Sequence, residues 1–115
     1  MSAIAQLVEK TIADNVIAVF SKSYCPFCTR TKNLIKQLPV KPDSVAILEL
    51  DERPDGADIQ AYLLDKTGQR SVPNVFVKQQ LTHLNRLKIH SNFTGNDDFQ
   101  AAHASGKIVQ LLQGN

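Results

Sequence analysis

The chain has 115 residues and a net charge of +2, with 43% apolar and 21% charged residues. That composition fits one globular domain and argues against a disordered or fibrous chain. Its 13 Lys and Arg residues are scattered rather than gathered into a run, so neither nucleic acid nor an acidic membrane surface is expected as a partner.

No apolar stretch approaches the ~18 residues that a membrane span needs. Residues 1–15 have no basic segment leading into an apolar one, and they include Glu9 and Asp14. Secretory and mitochondrial leaders are therefore not expected, and the expected location is the reducing cytoplasm.

Ala3, Ile4, Leu7, Val8 and Ile12 recur at helical spacing and predict an amphipathic opening helix. Residues 16–20 are apolar throughout, which suits a buried strand. A second helix follows, its inner face marked by Phe27, Thr31, Leu34, Ile35 and Leu38, with Pro39 ending it. Residues 45–50 read as a second strand and residues 51–56 as a turn. Ile59, Tyr62 and Leu63 then mark a third helix, closed by Gly68 as its C′ glycine.

Residues 75–77 form a third strand. Asn96 is the expected N-cap of the next helix, with Asp97 and Asp98 in its first turn, where acidic groups suit the helix dipole. That helix stops near Gly106, and Ile108, Val109, Leu111 and Leu112 make a short terminal one. Residues 78–94 are polar, with weak periodicity at Leu81, Leu84 and Leu87. They read as a long, mobile loop or hairpin insertion that holds a strand near 87–89 or near 92–94. The strand–helix–strand unit predicts parallel pairing, and the order of elements gives an α/β domain with helices on both faces of a small sheet.

Only two cysteines occur, Cys25 and Cys28. A disulfide closing so short a loop stabilises little, because the closure effect grows with loop size. In a reducing compartment such a pair is redox-active or metal-binding. Zinc needs about four ligands. The remainder would have to come from His83, His90 and His103, whose spacing does not match a zinc site, so no metal is expected and the histidines are read as surface residues.

Cys25 lies where a strand gives way to a helix. Pro26 occupies the first turn, where its missing N–H costs nothing. The helix dipole, the free N–H groups of that turn and Lys22 all favour a thiolate at Cys25. Cys28 falls almost one turn further on, deeper in the fold, placed to attack a mixed disulfide on Cys25.

Three segments carry a resemblance. They are Lys22-Ser23-Tyr24-Cys25-Pro26-Phe27-Cys28, Thr67-Gly68-Gln69-Arg70-Ser71-Val72-Pro73-Asn74-Val75-Phe76 and Gly95-Asn96-Asp97-Asp98. Together they closely resemble a dithiol glutaredoxin. The resemblance implies a thioredoxin-like fold with a small mixed central sheet. It also implies a glutathione-dependent oxidoreductase that reduces protein disulfides and glutathionylated proteins, with Cys25 as nucleophile and Cys28 as resolving thiol.

Glutathione is the implied co-substrate. Lys22, Gln60 and Arg70 would hold its glycine carboxylate, Val72 and the cis-proline Pro73 its cysteinyl backbone, and Asp97 and Asp98 its γ-glutamyl end. Phe27 stands where the family often has Tyr and keeps an aromatic wall. Thr94-Gly95 replaces the customary Gly-Gly, and residues 78–94 are longer than the usual connection. The chain is expected to act as a monomer. Two alternatives stand beside this reading: a dimer sharing an iron–sulfur cluster, and an interaction module disabled by the 78–94 insertion, which would use residues 81–89 to dock.

Overall fold

The computed structural model describes residues 2–78 and 90–113. Its elements are α1 (Ala3–Asp14), β1 (Ile17–Ser21), α2 (Pro26–Ile35), β2 (Val45–Glu49), α3 (Gly56–Thr67), β3 (Asn74–Lys78), β4 (His90–Thr94), α4 (Asn96–Ala104) and α5 (Lys107–Gln113). Two short 3₁₀ turns, Pro42–Ser44 and Leu50–Glu52, flank β2 and were not expected from the sequence.

The sheet order is β2-β1-β3-β4. β1 and β2 run parallel, as the strand–helix–strand unit predicts, with Ile17 opposite Val45 and Ser21 opposite Glu49. β3 is antiparallel to β1, and β4 is antiparallel to β3, so the sheet is mixed.

Side chains alternate across the sheet, and the two faces build separate cores. Ile17, Val19, Val75, Val77 and Phe93 pack with Leu34, Ile35, Phe99, Ile108 and Leu111 beneath α2, α4 and α5. Ala18, Phe20 and Phe76 pack with Val8, Ile12, Leu50, Ile59 and Leu63 beneath α1 and α3. Edge-to-face ring pairs sit in each, Phe93 with Phe99 and Phe20 with Phe76, both with centroids 5.9 Å apart.

Several sequence expectations shift. Phe27 is half exposed and belongs to the outer surface of α2, while Cys28 takes its place on the inner face. α2 ends at Ile35, and Leu38 is buried from the turn beyond it rather than from the helix. The N-cap of α4 is Gly95. Its φ of 112° is open to glycine and closed to most other residues. Asn96 is already helical, and its side chain turns inward to accept a hydrogen bond from Thr31 Oγ1 at 2.9 Å.

Gly68 closes α3 at φ 77°, as expected. The 78–94 stretch begins and ends in strand, Lys78 closing β3 and His90–Thr94 forming β4. Residues 79–89, with the apolar positions 81, 84 and 87 and the proposed docking segment, lie outside the described residues, as does the side chain of His90. His103 is half-buried on α4.

Candidate functional site

β1 ends at Ser21 and delivers the chain to a tight turn in which the Cys25 N–H donates to Lys22 O at 3.1 Å. Cys25 is the N-cap of α2 in extended conformation, with Pro26 in the first helical turn. Cys25 is partly exposed and Cys28 is fully buried, and both are free thiols.

Their environments push them in opposite directions. At Cys25 burial opposes the charge. The N–H and thiol of Cys28, the N–H of Phe27 and the positive charge of Lys32 outweigh it, so the thiol titrates below the ordinary range. At Cys28 burial raises the titration. The Lys22 N–H, 3.5 Å from its sulfur, and the Ser21 hydroxyl pull it back, while Cys25 pushes it further up. The outer sulfur is thus the more readily ionised of the two, and the inner one is held as a thiol. Lys32 is a cation that acts on Cys25, and Lys22 acts on Asp51.

The turn before Cys25 is tied down from β2. The Ser23 N–H donates to Asp51 Oδ1 at 2.9 Å, and the Ser23 hydroxyl donates to the other carboxylate oxygen. The Ser23 hydroxyl and N–H keep the Asp51 carboxyl below the usual carboxylate range. The turn that carries Asp51 is itself pressed against the start of α3. A Cβ on Gly56 would lie 1.9 Å from Leu50 O, so only glycine fits there.

A groove of about 240 Å³ opens beside the thiols, lined by Phe27, Val72, Pro73, Thr94, Gly95, Asn96, Asp97 and Asp98. The Val72-Pro73 peptide is cis, as the resemblance implies. The Gly95 N–H donates to Pro73 O at 2.9 Å and joins the two sides of the groove. Thr94 fits in place of a glycine because it is a strand residue with ordinary backbone, and its hydroxyl donates to Asp98 Oδ2 at 3.3 Å.

Five of the sequence-predicted residues therefore share one cavity: Phe27, Val72, Pro73, Asp97 and Asp98. Lys22, Gln60 and Arg70 do not line it. Gln60 Nε2 donates to Arg70 O at 2.8 Å, so one of its two N–H bonds holds the loop that carries Arg70, leaving the other free for a ligand. Among the described residues, no group of three or more His, Cys, Asp and Glu side chains comes together as a metal site, and no helix is long and apolar enough to cross a membrane.

Sequence reasoning passed over Lys32, Glu49, Ser23, Asp51 and the buried Thr31–Asn96 bond. Lys32 had a local signal, since it lies four residues after Cys28 and seven after Cys25, on one helix face. Asp51, just past the end of a strand, stood where α/β sheets place ligand-facing groups.

A buried thiol behind a thiolate-favouring one at a strand–helix junction suits disulfide exchange, and the fold is that of the thioredoxin-like oxidoreductases. The glutaredoxin family profile matches residues 17–82. Glutaredoxin-1 of Rhizophagus irregularis is 41% identical over 112 residues, covering 97% of each chain. Glutaredoxin-1 of Saccharomyces cerevisiae is 38% identical over 107 residues, 92% of this chain and 87% of its own. Among solved structures, a buckwheat glutaredoxin–glutathione complex superposes with a TM-score of 0.77 at 35% identity, covering 96% of this chain and 88% of that one.

The chain belongs to the glutaredoxin family and is a glutathione-dependent thiol–disulfide oxidoreductase. An iron–sulfur-sharing dimer and an inactive interaction module are not favoured by these matches.

Proposed function

We propose that Cys25 is the nucleophile of this enzyme and Cys28 its resolving thiol, and that the groove beside them receives glutathione. The observation that carries this reading is the placement of the two thiols, Cys25 partly exposed at the N-cap of α2 and Cys28 buried behind it. That arrangement displaces the outer one towards thiolate and the inner one away from it. The Cys25 thiolate attacks one sulfur of a substrate disulfide. A new S–S bond forms at Cys25, the old one breaks, and the departing thiolate takes a proton from solvent.

With a glutathionylated protein, attack on the glutathione sulfur leaves glutathione on Cys25 and frees the protein thiol. A second glutathione then regenerates Cys25 and departs as glutathione disulfide. With a protein disulfide, Cys28 attacks the mixed disulfide at Cys25, releases the reduced protein and leaves a Cys25–Cys28 disulfide that two glutathiones reduce.

The Val72 backbone, in the groove beside the cis-proline, suits the cysteinyl part of glutathione. The free N–H groups at the start of α4 suit the γ-glutamyl carboxylate, and the exposed Asp97 and Asp98 suit its amine. Lys22, Arg70 and the remaining Gln60 N–H suit the glycine carboxylate from outside the groove. Phe27, with Arg30 stacked 5.5 Å from its ring centre, forms an apolar wall. The same reading expects a cytoplasmic monomer that acts on glutathionylated and disulfide-bonded proteins.

The test is reduction of a glutathione mixed disulfide by wild type, Cys25→Ser and Cys28→Ser. Loss of activity in Cys25→Ser alone, with Cys28→Ser losing only its action on protein disulfides, is the expected pattern. Activity surviving in Cys25→Ser would reverse the assignment.

A further inference from the structure

The odd-numbered residues of β2 face α2. Val45 and Ile47 continue the apolar side of the sheet and line a groove with Ile35, Val40 and Pro42. At the next odd position the pattern breaks, and a carboxylate, Glu49, stands where an apolar residue would extend the stripe. Opposite it in register is Ser21, whose hydroxyl bears on Cys28. Above it is Lys32, whose ammonium lies 3.0 Å from Glu49 Oε2.

Both side chains are about one-fifth exposed. The second oxygen of Glu49 is buried without a hydrogen-bond partner, the one such side-chain atom among the described residues. A half-buried ion pair with an unsatisfied oxygen is a weak stabiliser, because desolvation offsets most of the attraction. Apolar residues of similar volume would pack there at least as well. The pair therefore calls for an explanation other than stability.

Helix geometry supplies one. Cys25, Cys28 and Lys32 follow one another along one face of α2, so the ammonium sits about two turns behind the outer sulfur. The remaining charges near the thiols are arranged differently. Lys22 acts on Asp51, Asp51 is bound to Ser23, Arg30 stacks on Phe27, and Asp97 and Asp98 lie across the groove.

We propose that Lys32 and Glu49 are a matched pair of positioning residues: Lys32 supplies positive charge behind the Cys25 thiolate, and Glu49 limits how much of it the thiolate receives. This rests on Cys25 being the nucleophile. The consequence is an effect of opposite sign from the two partners. Removing the ammonium weakens the thiolate, and removing the carboxylate strengthens it. A merely structural pair behaves otherwise, since losing either partner disturbs the same contact.

The experiment follows alkylation of Cys25 by iodoacetamide across the thiol titration, together with reduction of a glutathione mixed disulfide. Wild type is compared with Lys32→Met, Lys32→Arg, Glu49→Gln and the double variant Lys32→Met/Glu49→Leu, with thermal unfolding as the check on folding. On the acid side of the titration, Lys32→Met is expected to slow alkylation roughly threefold, and Lys32→Arg to restore it. Glu49→Gln is expected to speed alkylation by a similar factor.

The double variant is expected to fold at least as stably as wild type. With both charges gone and their effects opposed, it should alkylate faster than Lys32→Met and close to the wild-type profile. It keeps the question answerable if Glu49→Gln does not fold. Profiles for Lys32→Met and Glu49→Gln that move together or stay at wild type would overturn the proposal, as would a double variant no faster than Lys32→Met. A Cys25→Ser control that retains mixed-disulfide activity would instead overturn the nucleophile assignment.

Discussion

Beneath α1 and α3, polar groups are joined to one another. Tyr62 donates to Glu9 at 2.5 Å, and Lys66 pairs with the same carboxylate at 3.0 Å. Asn74 donates to Thr67 Oγ1 and accepts from Asn92, tying α3, β3 and β4 together. Beneath α2 and α4 the apolar packing is just as continuous, but polar groups interrupt it near the thiols: Ser21, Thr31, Glu49 and Asn96. One of them retains an unpartnered oxygen. The first face ties its polar groups to one another, and the second holds one incompletely satisfied carboxylate together with a hydroxyl, that of Ser21, which acts on the Cys28 sulfur. Perturbed groups gather where chemistry is done, and a stable opposite face makes that tolerable.

The largest effect that separates the faces is chemical. Cys25→Ser is expected to lower mixed-disulfide reduction by on the order of 10⁴-fold, measured by glutathione-coupled turnover, with little change in unfolding. Phe20→Ala should do the reverse. Deleting that ring from the fully buried core is expected to lower stability by about 3–5 kcal/mol in denaturant titration. Protein that remains folded should show an unchanged Cys25 alkylation profile. A changed profile would mean that the two faces are coupled.

Thr31→Val removes the donor to Asn96 and leaves that side chain with Gln100 alone. A loss of about 1–2 kcal/mol is expected, read by chemical unfolding.

Cys28→Ala sharpens the comparison through pH. The Cys28 thiol helps hold the Cys25 titration down, so its removal should move the alkylation profile of Cys25 to higher pH. The sign for folding follows from the lowered titration of Cys25 in the native state. Its contribution to stability is complete above the ordinary thiol range and is lost as pH falls through the native value. In Cys28→Ala that contribution should be smaller, and its loss should be complete at a higher pH than in wild type. Smallest of all, Lys10→Ala removes an exposed helix pair with Asp14 and should leave the unfolding midpoint unchanged within error.

What could be read in the sequence was local. Cys25-Pro26-Phe27-Cys28 announces itself because proline at a helix start and a cysteine one turn later are properties of a few adjacent residues. The helices and β1 to β3 followed from periodicity. Asn96 was misjudged because an asparagine before two acids is an ordinary capping pattern. Its real partner, Thr31, is 65 residues away and becomes visible only when α2 packs on α4. Glu49 and Asp51 were missed for the same reason, since their roles depend on the register that sets Glu49 beside Ser21 and on a turn that closes onto Ser23. Phe27 was assigned inward because apolar residues usually are, yet here the inward position belongs to a sulfur.

The hold of Asp51 on Ser23 spans 28 residues, and this has a bearing on how the protein is made. A ribosome completes both cysteines before it reaches Asp51, and Gly56, which seats the Asp51 turn against α3, comes later still. During that interval the two sulfurs belong to an unanchored chain and react as ordinary free thiols. The groups that lower the Cys25 titration lie on α2, a helix too short to hold its shape alone. The sharpened reactivity therefore arrives only when that helix packs on the sheet, and the nascent polypeptide meets cellular oxidants in its less reactive form.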